Sequence, residues 1–178
     1  MVAVIQYEQK YAADFKRLNV EWLDKYGLKE EADLLMLDNP EREIIDTGGC
    51  IFLAKIDDEI VGSAALIQEA PGEFELAKMA VSAAFQGMGI SKLLIEKCLA
   101  EATLLGAAKV FLVSNSQLTT AVKLYEKYGF RHVPVIENHY TTADVRMEKI
   151  IVAFIKSLRA FQIVAKGCQP FELSHTIK

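Results

Sequence analysis

A loop with two glycines, placed between a strand-like and a helix-like segment, constrains the fold of this chain most strongly. Residues 73–81 favour a strand, and Gly87 and Gly89 follow before an amphipathic helical pattern that begins at Ile90. Glycine has no Cβ, so the backbone of such a loop can approach a ligand closely. The first amides of a helix lack intrahelical acceptors and lie at the positive end of its dipole. The loop therefore predicts either an anion-binding cradle or only a tight strand-to-helix turn.

Upstream of this loop, the pattern predicts helices followed by an antiparallel meander. Apolar residues at helical spacing indicate one helix over residues 8–26 and a shorter one over residues 29–37. The second helix is expected to stop before Pro40, because the residue before a proline is disfavoured in the α region. Three apolar runs separated by turn residues then indicate strands over residues 50–56, 60–68 and 73–81.

Downstream of the loop, helices and strands alternate. The helix that opens at the glycines is predicted to close at Gly106, and a strand over residues 109–113 and a helix over residues 119–128 follow. Two further strands are predicted over residues 130–135 and 143–148. A helix that crosses between two strands favours their parallel pairing, so the pattern predicts a mixed α/β domain.

The composition is that of a globular protein and argues against two classes of partner. Of the 178 residues, 52% are hydrophobic, which is enough for one domain with a sizeable core. The net charge of -4 lacks the basic surplus that nonspecific nucleic-acid binding requires. The longest apolar run, residues 150–155, is far shorter than the ~20 residues that cross a bilayer. We therefore expect neither nucleic acid nor a membrane as a partner.

The amino terminus and the cysteines both favour a reducing compartment. The first eight residues lack the basic flank and the cleavage site of a secretion signal. Cys50, Cys98 and Cys168 are far apart, odd in number and without metal-ligand spacing, which favours buried free thiols over a disulfide. We expect a cytoplasmic protein without a bound metal.

Two common phosphate-binding motifs do not fit the glycine loop. A dinucleotide fingerprint needs a third glycine where Lys92 stands, and a Walker loop needs a Gly-Lys-Ser/Thr sequence that is missing. Residues 86–91, with the sequence QGMGIS, instead resemble Gln/Arg-x-x-Gly-x-Gly/Ala, the pyrophosphate signature of the GNAT superfamily of N-acetyltransferases. Ser91 departs from the glycine or alanine of that signature, but serine is also small.

A second resemblance to the same superfamily follows one strand later. Asn115, Ala121, Leu124-Tyr125 and Gly129-Phe130 are similar to the pattern Asn…Ala-x-x-Leu-Tyr-x-x-x-Gly-Phe of its second coenzyme A-binding segment. The resemblance covers roughly residues 51–148. It implies a mostly antiparallel central sheet with helices on both faces, in a domain that spans residues 1–149.

The resemblance implies acetyl-CoA as the cosubstrate and assigns its contacts. The backbone of the strand before the loop would pair with the pantetheine arm, and an amide there would polarise the thioester carbonyl. Asn115 would bond the pantetheine or order a water, although capping its own loop explains this residue equally well. The residues implied to bind the cofactor are Met79, Ala80, Val81, Gln86, Gly87, Met88, Gly89, Ile90, Ser91 and Asn115.

The resemblance also implies a catalytic acid, whereas the base is inferred from strand geometry. Tyr125 would protonate the departing coenzyme A thiolate, the alternative being ordinary core packing of an aromatic residue. Glu75 is the candidate base for the acceptor ammonium, because strand alternation would place it on the same face as Met79 and Val81. A solvated strand carboxylate is the alternative interpretation of Glu75. The side chains of His132 and His139 could serve as the base instead.

The acceptor is predicted only as a primary amine, on a small molecule or a peptide. In the superfamily, the regions that correspond to residues 38–40 and 138–142 border the acceptor pocket. The apolar residues of segment 150–178 recur mostly at helical spacing, which predicts an added helix. This helix would pack on the domain or on the partner in a homodimer. The alternative to an enzyme is a GNAT-like module that binds acyl-CoA as a sensor or structural unit, without turnover.

Overall fold

The central feature of the computed structural model, which describes residues 1–135 and 140–151, is a sheet of seven strands. The strand order is β1-β2-β3-β4-β5-β7-β6, and only β4 and β5 are parallel to each other. The strands are β1 (Val2–Gln6), β2 (Cys50–Ile56), β3 (Glu59–Ala70), β4 (Glu73–Val81), β5 (Lys109–Ser114), β6 (Arg131–Val133) and β7 (Val145–Ile150).

Four α-helices accompany the sheet in the described part of the chain. They are α1 (Ala12–Tyr26), α2 (Glu31–Asp38), α3 (Ile90–Leu104) and α4 (Thr119–Lys127). Helix α1 ends at Gly27, whose φ of 65° is the left-handed conformation that stops a helix at little cost. Short single turns occupy Gln9–Tyr11, Glu41–Ile45 and Ala83–Phe85. None of the helices in residues 1–135 and 140–151 is long and apolar enough to cross a bilayer.

The two faces of the sheet carry separate hydrophobic cores. On one face, Phe15 and Leu18 of α1 pack in a cluster with Leu53 of β2. On the other face, Leu94 and Cys98 of α3 pack in a cluster that also includes apolar residues of β2, β3 and β4. The predicted class, a mixed and mostly antiparallel α/β sheet with helices on both faces, is therefore confirmed.

Strands β4 and β5 are paired along only part of their length. They are in register from Glu73 to Glu75, opposite Lys109 to Phe111, and their pairing ends there. Strand β5 continues to pair with β7 along all six of its residues, so β5 itself remains in the sheet. Beyond Glu75, the edge of β4 that faces β5 has no neighbouring strand among the described residues, and a gap opens between the two strands.

A β-bulge at Lys78 and Met79 interrupts β4 beside this gap. Ser63 of β3 is opposite Ala80 and Ala65 is opposite Ala77, so two residues of β4 face one residue of β3. Lys78 has a φ of 50°, which is uncommon for a residue with a side chain.

The extra residue reverses which side chains of β4 share a face. Leu76, Met79 and Val81 belong to the cluster on the α3 face, whereas Ala77 and Ala80 belong to the cluster on the α1 face. Glu75 precedes the bulge and alternates with Leu76, so it lies on the α1 face. The prediction that Glu75 shares a face with Met79 and Val81 is therefore wrong, because simple alternation does not hold across a bulge.

Apart from shifted bounds, such as those of β7 at Val145–Ile150 in place of residues 143–148, the other differences from the predicted elements are at the two ends of the chain. Strand β1 was not predicted, because five residues at the edge of a sheet carry little periodicity, yet it pairs with β2 from Val2 to Gln6. Cys50 and Cys98 are buried free thiols, as expected. Residues 152–178, which include Cys168 and most of the predicted carboxyl-terminal helix, lie outside the described residues.

Candidate functional site

The gap between β4 and β5 opens into a cavity of about 910 Å³. Its lining comes from α1 and α2 on one side, from α3 and α4 on the other, and from the separating strands between them. Nine of the ten residues predicted to bind a cofactor line this cavity. The exception is Ala80, whose exposure of 2% places it in the core on the α1 face.

The phosphate cradle, defined as residues 86–91, has the geometry of an anion site. Gly87 and Gly89 have φ angles of 79° and 80°, and a Cβ on either glycine would meet nothing within 4 Å. No side chain caps the amino terminus of α3, which begins at Ile90 directly after this loop. Gln86 donates from Nε2 to the carbonyl oxygen of Val81 at 3.3 Å and so ties the cradle to the end of β4. The exposed amides and the helix dipole favour a pyrophosphate here.

Tyr125 of α4 brings a phenol to the same cavity. Its hydroxyl lies 3.9 Å from Sδ of Met79, and its ring makes an edge contact with Phe130 at a centroid distance of 6.1 Å. Burial raises the pKa of Tyr125 to about 12. The phenol is therefore protonated at neutral pH and available as a proton donor.

Glu75 places a buried carboxyl group on the α1 side of the cavity. The residue is 8% exposed and lines the cavity. Burial raises the pKa of Glu75 to about 7, although the positive charge of Lys78 acts in the opposite direction. A carboxyl group that titrates near neutral pH is suited to accept and release a proton.

Lys78 joins the bulge of β4 to α2 and to the last connection of the sheet. Its ammonium donates to Oδ1 of Asp33 at 2.6 Å and to the hydroxyl of Tyr140 at 2.9 Å. The side chains of Lys78 and Asp33 are only 5% and 6% exposed. Burial alone would lower the pKa of Lys78, but Tyr140 and Asp33 outweigh it and raise that pKa. The network therefore holds a buried, neutralised ion pair beside Glu75.

Glu30 closes the same side of the cavity by holding two consecutive threonines. Its carboxylate accepts from the backbone N–H and the hydroxyl of Thr141 and from the same two groups of Thr142, at 2.7–3.0 Å. Partial burial would raise the pKa of Glu30, but these four hydrogen bonds lower it to about 2. We call this arrangement the Glu30 clamp. It fixes the segment before β7 against the amino terminus of α2.

Asn115 lines the cavity, but its side chain already has partners within the surrounding loops. Nδ2 donates to the carbonyl oxygen of Thr142 at 2.6 Å, and Oδ1 accepts from the N–H of Gln117 at 3.0 Å. These contacts correspond to the loop-capping alternative. A carboxamide retains one N–H and one lone pair after them, so binding of a ligand by Asn115 stays a prediction.

Comparison with known proteins connects this cavity to one family. A family model described as the acetyltransferase (GNAT) family matches residues 13–130, which is more than half of the chain. The chain belongs to the GNAT acetyltransferase family. The match includes the phosphate cradle, Glu75, Lys78 and Tyr125.

The curated GNAT relatives match only part of their own length. The N-acetylaspartate synthetase of Xenopus tropicalis is 37% identical over 93 residues, which are 52% of this chain and 34% of the relative. The ribosomal protein bS18-alanine N-acetyltransferase of Escherichia coli K12 is 32% identical over 89 residues, 50% of this chain and 60% of the relative. The chain thus spans about a third of the first relative and three fifths of the second.

Solved GNAT structures share the fold over most of the chain. A GNAT acetyltransferase from Staphylococcus aureus has a TM-score of 0.78 at 20% identity, covering 84% of this chain and 99% of its own. The PaiA N-acetyltransferase of Thermoplasma acidophilum, solved in complex with coenzyme A, has a TM-score of 0.67 at 16% identity. That match covers 85% of this chain and 99% of the other. At these identities the likeness concerns the fold.

Several residues that the sequence predicted near the site do not line the cavity or lie outside the described residues. Residues 38–40, expected beside an acceptor pocket, do not line the cavity, and Asp38 instead forms a surface ion pair with Lys16. His132 is exposed, lies 3.3 Å from a carboxylate oxygen of Glu126 and does not line the cavity. His139 and Asn138 lie outside the described residues. Over residues 1–135 and 140–151, no group of three His, Cys, Asp or Glu side chains is arranged to hold a metal.

The sequence did not single out three residues that shape the site: Lys78, Glu30 and Trp22. Lys78 and Glu30 are polar residues at a strand bulge and a helix cap, and their partners are 45 to 112 positions away in the chain. Trp22 has the helical spacing of a core residue, although it lines the cavity. The available signal was Glu30 with Asp33, whose three-residue spacing is typical of a helix amino terminus.

We expect Glu30→Gln to loosen the Glu30 clamp and to lower the free energy of unfolding. Glutamine offers one carbonyl oxygen in place of two carboxylate oxygens, so the backbone N–H of Thr141 or of Thr142 loses its acceptor. The free energy of unfolding should fall by roughly 1.5–3 kcal/mol, the usual size of a hydrogen bond to a charged group. Urea denaturation followed by circular dichroism would measure this effect. Glu31→Gln, at the exposed neighbouring position of the same helix turn, is the matched control and should behave like the wild type.

Proposed function

We propose that this chain is an N-acetyltransferase that transfers the acetyl group of acetyl-CoA directly to a primary amine. The observation that carries the proposal is one cavity lined by three kinds of group. These are the open cradle at the start of α3, the protonated phenol of Tyr125 and the buried carboxyl group of Glu75. Family membership supports acetyl transfer as the chemistry.

The cradle and the free edge of β4 suit the two halves of coenzyme A. The amides of residues 86–91 would bind the pyrophosphate, because no Cβ of Gly87 or Gly89 obstructs the approach. The edge of β4 from Met79 to Val81 would pair with the amide groups of the pantetheine arm, as an added strand does. Lys92 and Lys123 also line the cavity and would attract the phosphates.

The two titratable groups divide the proton transfers between them. When bound, acetyl-CoA supplies an acetyl group activated as a thioester. Glu75 would take a proton from the acceptor ammonium, which frees the lone pair that forms the new C–N bond. As the C–S bond breaks, Tyr125 would donate its proton to the sulfur and regain one from the acylated nitrogen. Their pKa values of about 7 and about 12 match an acceptor and a donor of protons.

Direct attack by the amine is favoured over a covalent acyl-enzyme. Cys50 and Cys98 are buried in the core, and neither lines the cavity. Burial raises the pKa of Cys50 to about 11 and raises that of Cys98 as well, so both thiols are poor nucleophiles. Within the described part of the chain, the amine itself is therefore the nucleophile that the site provides for.

The second candidate function is binding of acyl-CoA without turnover. The cradle alone would serve such a module, whereas a buried carboxyl group on the acceptor side has no purpose in it. Calorimetric titration with acetyl-CoA, followed by thiol release with added amines, separates the two functions. Binding without thiol release from any amine would support the module.

Gly89→Glu should abolish binding of acetyl-CoA. The substitution places bulk and a negative charge where the pyrophosphate would lie, at the positive end of α3. Gly106→Glu is the matched control, because Gly106 also has a positive φ of 75° and open space around it but lies at the other end of α3. Calorimetric titration measures both variants. Normal binding by Gly89→Glu would show that the cradle is misassigned.

Tyr125→Phe should lower kcat by roughly ten- to a thousandfold with little change in acetyl-CoA affinity, as the loss of a general acid does. Tyr128→Phe is the control, because Tyr128 directly follows α4, its hydroxyl donates to Glu96 and it does not line the cavity. Thiol release at saturating acceptor gives kcat, and calorimetry gives the affinity. An unchanged kcat would exclude Tyr125 from the reaction.

The pH dependence of the rate should report Glu75. A base must be ionised to accept a proton, so kcat/KM should rise with pH around 7 and level off above it. Glu75→Gln should remove this rise and lower kcat by roughly 10²- to 10⁴-fold. Glu73→Gln, on the same strand but paired with Lys109 and outside the cavity, should retain both. A rise that persists in Glu75→Gln would assign the titration to another group.

A further inference from the structure

The acceptor side of the cavity has an apolar wall with no assigned purpose. We define the acceptor wall as Trp22, Leu23 and Tyr26 of α1, all of which line the cavity. The rings of Trp22 and Tyr26 are in tilted contact, with centroids 5.0 Å apart. Trp22 and Leu23 also pack on the cluster that contains Ala77, and Glu75 lies on that same face of the sheet. A ligand whose amine meets Glu75 would thus have aromatic and aliphatic surface beside its body.

The charges on this side are unfavourable for a second anion. Among the described residues that line the acceptor side, Lys78 is the only cation, and its ammonium is already bonded to Asp33 and Tyr140. The other lining lysines, Lys92, Lys123 and Lys127, belong to α3 and α4, on the opposite side of the cavity. A ligand carboxylate beside the amine would meet Glu75 and would find no available cation within residues 1–135 and 140–151. Burying a charge without a partner is costly.

We infer that the acceptor is a primary amine with an aromatic or bulky apolar body and no carboxylate beside the amino group. The inference rests on the proposed acetyltransferase function. It separates this chain from the relatives named N-acetylaspartate synthetases, whose product contains two carboxylates. The acceptor wall binds the body, Glu75 receives the proton of the ammonium, and the buried Asp33–Lys78 pair leaves no cation for an acid group among the described lining residues.

The test compares acceptors that differ by one group. Thiol release from acetyl-CoA is measured with 2-phenylethylamine, L-phenylalanine, ethylamine, L-aspartate and a hexapeptide that begins with alanine. L-phenylalanine adds only a carboxylate to 2-phenylethylamine, and ethylamine removes only the ring. The expected kcat/KM for 2-phenylethylamine exceeds that for L-phenylalanine by about a hundredfold and that for ethylamine by about tenfold or more. L-aspartate should be a poorer acceptor than either aromatic amine.

Variants of the acceptor wall test the position of the ring. Trp22→Ala should raise the KM for 2-phenylethylamine by about tenfold with kcat nearly unchanged, because the lost contact is the same in the ground and transition states. The KM for ethylamine and the affinity for acetyl-CoA should not change. Tyr26→Ala should act in the same direction and guards against a folding defect, because Tyr26 is not part of either core cluster. Tyr11→Ala, an aromatic residue next to α1 that does not line the cavity, is the matched control.

The outcomes separate this inference from the proposed function. Equal or better use of L-phenylalanine or L-aspartate would overturn the inference and leave the acetyltransferase intact. Thiol release with the peptide and with none of the other acceptors would also overturn the inference and leave the acetyltransferase intact. An unchanged KM for 2-phenylethylamine in both Trp22→Ala and Tyr26→Ala would show that the wall does not bind the acceptor. No thiol release with any acceptor, in a protein that binds acetyl-CoA, would overturn the inference together with the enzyme.

Discussion

The separation of β4 from β5 is the constraint on which the rest of the structure depends. In a continuous sheet, the backbone groups of β4 from Leu76 to Val81 would be bonded to β5, and the cavity would not exist. Pairing instead stops at Glu75, and the bulge at Lys78 and Met79 bends β4 away. The left-handed φ of Lys78 costs about 1 kcal/mol, which the surrounding strands and the Asp33 ion pair offset. Local strain in one strand thus accompanies the opening of the cavity between β4 and β5.

The same bulge places neighbouring side chains of β4 that line the cavity on opposite faces of the sheet. Before it, Glu75 faces α1, and after it, Met79 faces α3 and touches the hydroxyl of Tyr125. Burial acts on both ionisable groups in the same direction, raising each pKa, yet the results differ because the ordinary pKa values differ. Glu75 is brought to neutral pH, whereas Tyr125 is kept fully protonated. One desolvated cavity is therefore enough to hold one group that titrates near neutral pH and another that stays protonated.

Much of the fold was predictable because its elements carry strong local signals. The bounds of β2 and β4 are identical to those predicted, since turn residues mark both ends of each strand. The cradle was predictable because Gly87 and Gly89 stand between two clear periodicities. The face on which each β4 side chain lies was not predictable. A bulge leaves the composition of a strand unchanged, but it moves the side chains that follow it to the opposite face of the sheet. The Asp33–Lys78 pair and the Glu30 clamp were equally hidden, because their partners meet only after folding.

The phosphate cradle and the Glu30 clamp require different lengths of chain to be complete during synthesis. The carboxylate of Glu30 bonds residues that follow it by 111 and 112 positions, which is a contact of very high sequence separation. The cradle, in contrast, is complete within a segment of a few residues at the start of α3. A ribosome that has extended the chain through α3 has synthesised every residue of the cradle, but the clamp cannot form until Thr141 and Thr142 emerge.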